Sequence, residues 1–326
     1  MTRILTGVLV VCAATAQLPR IGDINYYGLR KMTAEQILSA ARIASGDTIP
    51  ASRMELEDRI AELPGVVAAH VQTVCCEGNR ATLFIGIEER GGTAAGFRPP
   101  PSGTATLPED LMTQYREYQG ALLRAEMNRA ADPAMRRYQE RFRTFAVAHH
   151  LRLHAELRTG SDPEQRAAAA TVMAYGVNRK AAVDDLLFAL DDPDDGVRTN
   201  GLRSLAVIAG VARRQPALGI RIAPAGLVEL LNSVVLSDRM ESTKALLTLT
   251  ERQNAAALDL IREKALPSLA EMARWKTPAY ALPPFRLLGR VAGMPDADVT
   301  AAWEKGDREP VIQKALDSGA RKQGLQ

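Results

Sequence analysis

Three histidines, close together in one stretch, have the spacing best suited to chemistry. His150 and His154 stand four residues apart, which places both imidazoles on one helix face, as in many zinc sites. No glutamate follows His150 as it does in a zinc protease, His149 continues an apolar stripe, and Arg152 and Arg158 would repel a cation. We therefore predict no metal and no cofactor. The alternative is a metal-dependent enzyme or enzyme subunit in which His150 and His154 meet an acidic residue in one pocket.

Two cysteines, Cys75 and Cys76, are adjacent in the chain. Neighbouring side chains of a strand point to opposite faces, and adjacent Cα atoms are closer than those of an ordinary disulfide. One alternative is a strained disulfide between the neighbours in an oxidising compartment. The other, which the spacing favours, is one buried thiol and one exposed thiol that could pair with another chain.

The remaining charged residues have structural explanations. The cluster Asp191, Asp192, Asp194 and Asp195 lacks the ligand spacing of a calcium loop and is typical of a helix start. The chain has neither a glycine-rich phosphate loop nor a Gly-x-Ser-x-Gly elbow. With 41 basic and 38 acidic residues, the formal charge is +3, and no segment gathers a basic stripe. The sequence therefore predicts a globular protein that is not an enzyme and binds no nucleic acid.

The N-terminus follows the pattern of a secretory signal. Arg3 supplies the positive charge, Ile4 to Ala14 form a short apolar run, and small residues fit a cleavage site at the end of Met1–Ala16. No later segment is apolar for long enough to span a bilayer. We therefore expect a periplasmic or secreted protein without a transmembrane segment in the mature chain. The alternative is an envelope lipoprotein anchored at Cys12.

Residues 17–90 predict a small domain in the order strand, helix, helix, strand, strand. Thr33 and Gln36 form a capping box at the start of the first helix. Alternating apolar residues in 67–73 and 81–87, joined by a turn at Gly78, predict a β-hairpin with one buried face.

Four patterns in this domain resemble those of a POTRA domain, the module of outer-membrane assembly proteins and of a bacterial division protein. They are Ile24-x-x-x-Gly28, Ile37 to Gly46-Asp47, Leu63-Pro64-Gly65-Val66, and Leu83-x-Ile85-x-Ile87-Glu88-Glu89. The resemblance implies a β-α-α-β-β fold that binds other polypeptides, often by adding a strand to a sheet edge.

The edge assigned to this binding is the strand from Val67 to Val74. It carries no lysine, proline or acidic residue, the usual devices that discourage strand addition. We therefore expect an extended segment of another protein to pair with it, and proline at Gln72 to remove a donor from the edge. The binding residues are Val67, Ala69, Val71, Gln72 and Thr73.

Two further segments lead to the C-terminal part. Residues 91–107 are rich in Gly, Pro, Thr and Ser, with Pro99–Pro101 at their centre, and predict a semi-rigid linker at a domain boundary. Residues 108–160 carry apolar positions three and four apart in two long runs, which predict a helical hairpin.

Residues 161–320 show a repeating pattern. Asp162-Pro163 and Asp192-Pro193 each precede an apolar helix, with the two prolines 30 residues apart. Asp192, Pro193, Val197 and Arg198 resemble the second helix of a HEAT repeat, in which the aspartate caps the helix and the arginine joins a ladder between repeats. The resemblance implies an α-solenoid, with degenerate copies up to residue 320 and a frayed tail at 321–326.

The fold class predicted is a multidomain α+β protein, with a small POTRA-like domain and an all-α HEAT-like domain. Large aromatic residues near prolines in the second domain are expected in its core and not in a groove. They are Trp275, Tyr280, Phe285 and Trp303. We expect an exported, non-enzymatic interaction scaffold or adaptor of the cell envelope, which binds polypeptides through the sheet edge and the solenoid surface.

Overall fold

The computed structural model describes residues 19–92, 96–128, 132–252 and 254–323. The predicted signal Met1–Ala16 and Cys12 lie outside these residues. Within them, no helix is both long enough and apolar enough to cross a membrane. The protein is mixed α+β, with a small sheet domain followed by a larger helical domain.

The sheet domain consists of β1 (Arg20–Tyr27), α1 (Ala34–Ala41), α2 (Arg53–Ala61), β2 (Val66–Glu77) and β3 (Arg80–Glu89). β3 lies at the centre of the sheet, parallel to β1 and antiparallel to β2. The two edges of the sheet are therefore β1 and β2.

Local sequence determines where these elements begin and end. Thr33 Oγ1 accepts a hydrogen bond from the backbone N of Gln36 at 3.3 Å, and Gln36 Oε1 accepts one from the N of Thr33 at 2.9 Å. This is the predicted capping box. Gly28 directly follows β1 with φ +81°, and a Cβ there would overlap the carbonyl oxygen of Ile87. Only glycine lets the two strands lie this close.

Both faces of the sheet are buried, which corrects the single buried face predicted. One face packs on α1 and α2 through a core that includes Ile37, Ile60 and Ile85. The opposite face packs on the helical domain through Tyr27 and Phe84. The sequence pattern missed this second face because its apolar residues are few and large.

The alternation of buried and exposed side chains in β2 also differs from the prediction. A register shift between Val66 and Ala68 buries Val66 and leaves Val67 54% exposed. An extra residue in one strand inverts which side chains face the core.

The helical domain comprises α3 (Glu109–Asn128), α4 (Met135–Ala148), α5 (His150–Thr159), α6 (Pro163–Met173), α7 (Arg179–Ala189), α8 (Asp195–Arg214), a 3₁₀ turn (Pro216–Leu218), α9 (Ala225–Leu230), α10 (Leu236–Leu249), α11 (Ala255–Lys264), α12 (Leu266–Ala273), α13 (Pro278–Val291), α14 (Asp296–Lys305) and α15 (Arg308–Gln323). Because α15 continues to Gln323, the predicted frayed tail is wrong for residues 321–323. The last residues of the predicted tail, 324–326, lie outside the described part of the chain.

Helices of this domain pack in sequence order. α5 contacts α6, α6 contacts α8, α8 contacts α10, α10 contacts α13, and α13 contacts α15. A single apolar core runs from Leu107 to Ala315. The hairpin predicted for 108–160 is not a separate unit, because its second helix breaks at His149 and α5 packs Leu153 and Leu157 into the common core.

Helix starts in this domain depend on aspartate caps. Asp162 caps α6 by accepting from the N of Glu164 at 2.9 Å, with Pro163 as first helical residue. The cap of α8 is Asp194, which accepts from the N of Val197 at 3.0 Å. The prediction that Asp192 caps this helix is therefore wrong. The residue that caps α8, as Asp162 caps α6, is Asp194.

The predicted linker packs against the helical domain along residues 96–107. Gly103 N donates to the carbonyl of Thr159 at 2.7 Å, and Ser161 N donates to the carbonyl of Gly103 at 3.1 Å. The Arg98 guanidinium lies 3.3 Å above the Phe188 ring. Pro- and Gly-rich chain forms no core of its own, but here its backbone pairs with exposed helix ends.

Candidate functional site

The two domains meet through aromatic residues and buried hydrogen bonds. Trp275 packs edge-on against Tyr27 and Phe84, with ring centroids 5.7 and 5.0 Å away. Its indole Nε1 donates to the carbonyl of Tyr26 at 3.0 Å, and the Tyr27 hydroxyl donates to the carbonyl of Val234 at 2.9 Å. Trp275 is 3% exposed, as predicted for a core residue. It also lines the cleft beside this interface, so the expectation that it lies away from a groove is wrong.

A cleft of about 930 Å³ opens beside this interface. The C-terminal half of β1 and the end of β3 form one wall, and α12 with the turn before α10 forms the other. Both signs of charge occur at its rim, on Arg30, Glu88 and Lys276. A cleft of this size between two domains is the usual place for a binding site.

Edge strand β1 borders the cleft. Its first residues are covered, because Ile21 N donates to the carbonyl of Asp47 at 2.7 Å. Further along, the Tyr26 carbonyl and the Gly28 amide point away from β3, toward the helical domain. Since strand residues alternate in direction, Ile24, which lines the cleft, points its N–H and C=O the same way. Among the described residues, no strand pairs with this side of Ile24–Tyr27.

Glu271 closes the inner end of the cleft. Its carboxylate accepts from the N of Gly28 at 2.9 and 3.0 Å and from Arg239 Nη1 at 3.3 Å. Burial raises the pKa of Glu271, and Arg239 and the Gly28 amide act against that rise. The Glu271–Arg239 ion pair therefore links the end of β1 to the helical domain through charge-assisted hydrogen bonds.

Glu89 holds the loop at the rim. Its carboxylate, 5% exposed, accepts from the backbone N of Arg30, Lys31 and Met32 at 2.7–3.0 Å. Burial raises the pKa of Glu89, but the three amides outweigh it and hold the pKa below the usual value. The loop after β1 is therefore held in place as a preformed wall of the cleft.

The other edge, assigned to binding from the sequence, is partly blocked. The outward N–H of Val71, at the middle of β2, donates to Glu57 Oε1 of α2 at 2.7 Å. The expectation that this edge lacks a protective device is therefore wrong. The strand itself contains none, but a helix supplies it from 14 residues away.

Because backbone direction alternates along a strand, the Val71 amide also shows which way the other N–H groups of β2 point. Ala69 and Thr73 share the outward direction, whereas Gln72 lies in a hydrogen-bonded pair with Phe84 of β3. Gln72 is therefore not an outward donor, and proline there would break the ladder inside the sheet.

Arg198 bridges two helices inside the helical domain. Its guanidinium donates to Asp238 of α10 at 2.8–3.1 Å and to the carbonyls of Asp192 and Pro193 at 2.8 and 3.0 Å. Asp192, which the sequence assigned to a cap, is fully buried and accepts two hydrogen bonds from Arg166 at 2.9 Å. Val197 is also fully buried.

The histidines lie at a second, more apolar pocket of about 530 Å³. His150, His154 and Asp185 all line it, so the structure places together the groups that the enzyme alternative required. They do not form a metal centre, since the described residues contain no group of three His, Cys, Asp or Glu arranged to hold an ion.

Cys75 and Cys76 form a disulfide with each other at the end of β2. Of the two alternatives, the structure therefore contains the one that the sequence did not favour. The bond lies where the pairing of β2 with β3 shifts, between Val74 and Glu77.

Glu156, which sequence reasoning missed, is a fully buried carboxyl in α5 without a hydrogen-bond partner for either oxygen. It lies against Gly160, where a Cβ would overlap the carboxyl. Burial, and then the charge of Asp162, raises the pKa of Glu156 to about 7, while Arg166 lowers it.

We expect Glu156→Gln to stabilise the protein increasingly as the pH rises. The folded-state pKa lies above the unfolded value, so the wild-type contribution is complete below about pH 4.5 and declines as the pH rises toward 7. Glutamine abolishes this loss, worth about 3 kcal/mol at neutral pH. Urea unfolding at about pH 5 and about pH 8 measures it. The exposed control Glu304→Gln should show no such trend, and an equal effect of Glu156→Gln at both pH values would contradict the assignment.

Sequence reasoning missed Glu271 and assigned Trp275 to the core alone. Both residues lie more than 240 positions from the β1 groups that they contact. A glutamate on an apolar helix, with a large aromatic residue shortly after the helix, is too common a pattern to indicate a site.

Comparisons of the chain with known protein families, with curated proteins and with solved structures found no match. The function is therefore argued from the geometry of the cleft and of the helices that support it.

Proposed function

We propose that the protein is an exported, non-enzymatic scaffold or adaptor of the cell envelope, which binds an extended polypeptide segment of a partner protein in the interdomain cleft. The sheet domain acts as the POTRA-like module and the helical domain as the HEAT-like support. Export depends on the signal Met1–Ala16, and an envelope lipoprotein anchored at Cys12 is the alternative.

The observation that carries this proposal is the outward edge of β1 at the cleft. Ile24 directs its N–H and C=O away from β3, and the rim loop and α12 stand on either side. An extended segment added here gains backbone hydrogen bonds and apolar contacts at once. Both edges have outward groups that side chains already bond: Val71 by Glu57 in β2, and Tyr26 and Gly28 by Trp275 and Glu271 at the end of β1. We prefer β1 because its outward groups at Ile24 face the large cleft.

The helical domain supports the proposal as a rigid frame. Arg166, Arg198 and Arg239 each donate to carbonyls of the turn before their own helix and to an acid of a following element. Repeated arginine links of this kind favour the HEAT-like interpretation. They also fix the angle at which α12 faces the sheet.

Proline at Ile24 tests the proposal. It removes an outward donor while leaving the ladder to β3 intact, so we expect a folded protein that loses its partner. A photo-crosslinking residue at Arg30 should capture an envelope protein in the parent and about tenfold less in Ile24→Pro, since the added strand loses a backbone bond and its register.

The matched control is Thr73→Pro, which removes an outward donor from β2 and should leave the cross-link unchanged. Fluorescence of Trp275, recorded in a Trp303→Phe background, reports whether the cleft is intact in each variant. Loss of the cross-link in Thr73→Pro, with Ile24→Pro unaffected, would move the binding site to the β2 edge.

A second candidate function, a metal-dependent enzyme or enzyme subunit, is favoured only by the convergence of His150, His154 and Asp185 on one pocket. No serine, threonine or cysteine is among the described residues that line this pocket. We therefore keep catalysis as the alternative.

A further inference from the structure

The second pocket has the dimensions and lining of a small-molecule site. It lies between the α4–α5 segment and the α6–α7 segment, with a volume of about 530 Å³. Apolar side chains form most of its wall, among them Ala146, Leu153 and Met173. Sites for small ligands have this size and this apolar character, with a few placed polar groups.

The rim of the pocket exposes apolar surface that the fold leaves uncovered. Val147 is 53%, Leu151 72% and Val177 70% exposed, and all three line the pocket. Single exposed apolar residues are common, but three around one opening form a continuous apolar entrance.

One polar group in the pocket has a defined orientation. His154 Nδ1 lies 2.9 Å from Asp185 Oδ2, and Arg158 Nε donates to Asp185 Oδ1 at 2.7 Å. In the neutral ring, a carboxylate partner assigns the proton to Nδ1, which leaves Nε2 of His154 as a hydrogen-bond acceptor. Since Arg158 balances the charge of Asp185, the site offers an acceptor without an unmatched carboxylate or guanidinium.

We infer that this pocket binds a small, uncharged, mostly apolar compound that donates one hydroxyl hydrogen bond to Nε2 of His154. The apolar wall takes its hydrocarbon part, and the acceptor fixes its orientation. The charge balance between Arg158 and Asp185 favours a neutral ligand over a carboxylate. This site is separate from the interdomain cleft, and the inference does not depend on the proposed function.

Three probes of similar shape test the inference: β-naphthol, its methyl ether and β-naphthoate. Calorimetry with the full chain should show saturable binding of β-naphthol. The ether, which has no donor, should bind about tenfold more weakly, and the naphthoate more weakly still. Equal affinities for the naphthol and the ether, tighter binding of the naphthoate, or no binding of any probe would overturn the inference.

Two variants place the probe in the pocket. His154→Phe keeps a flat ring of similar size but has no acceptor, so β-naphthol should fall to the affinity of its ether. Ala182→Met narrows the pocket and should weaken binding of both. Circular dichroism and thermal midpoints like those of the parent show that each variant is folded. If a folded Ala182→Met binds the naphthol as tightly as the parent does, or if the parent binds no probe and self-associates through Leu151, the pocket is not a small-molecule site.

Discussion

Replacing Arg198 with alanine should lower the free energy of unfolding by about 3–5 kcal/mol, one of the largest effects of any single substitution in this chain. The Arg198 side chain is 2% exposed, and that of its partner Asp238 is fully buried. Alanine removes the guanidinium that donates to the carbonyls of Asp192 and Pro193. Among the described residues, it leaves the Asp238 carboxylate with only Ser233 as side-chain donor.

Asp238 explains why the loss is so large. Burial raises the pKa of this carboxyl, and the hydrogen bonds and charge of Arg198 are the main influences that oppose the rise. Without Arg198, a buried carboxylate either stays ionised without its counter-charge or takes up a proton, and both outcomes destabilise the fold.

Urea unfolding of Arg198→Ala and of a double variant at the same ion pair provides the measurement. The variant Arg198→Met/Asp238→Leu should be less destabilised than Arg198→Ala, because it leaves no buried charge without a partner. Arg116 and Glu164 form a surface pair whose side chains are 50% and 45% exposed, so the control Arg116→Ala should cost less than about 1 kcal/mol. Equal midpoints for Arg198→Ala and Arg116→Ala would show that the buried link contributes nothing.

Replacing Trp275 with alanine should cost about 3–5 kcal/mol and also loosen the sheet domain from the helical domain. The ring fills the interface between Tyr27, Phe84 and Tyr280, and its Nε1 holds the carbonyl of Tyr26. Alanine leaves a cavity at the place where the domains touch, together with a carbonyl that has lost its donor.

Hydrogen exchange separates this effect from a general loss of stability. In Trp275→Ala, the amides of β1 should exchange faster relative to those of α8. Phe285→Ala removes an equally buried ring from within the helical domain and should destabilise the protein without that bias. The milder Tyr27→Phe removes only the hydroxyl bonded to Val234 and should cost about 1 kcal/mol. Uniform exchange in Trp275→Ala would mean that the interface does not depend on this ring.

Sequence reasoning worked best where the cause is local. The box of Thr33 and Gln36, the turn at Gly78 and the cap at Asp162 each involve residues within a few positions of one another. Sequence reasoning placed the cap of α8 two residues too early, at Asp192, because Asp192 and Asp194 are equally suitable as caps. The choice between them depends on Arg166, which lies 26 residues away and binds Asp192.

The amino-acid sequence by itself determined the mixed α+β class, the order of the first strands and helices, and many of the apolar residues that form the cores. These follow from periodicity, capping and turn chemistry, which act over one or two turns of chain. Tertiary structure alone decided which sheet edge is available and which groups border the cleft. Glu57 reaches Val71 from a different element, and Trp275 reaches Tyr26 across 249 residues. Hydrogen bonds between such distant residues depend on how the two domains pack, and no spacing along the chain encodes that packing.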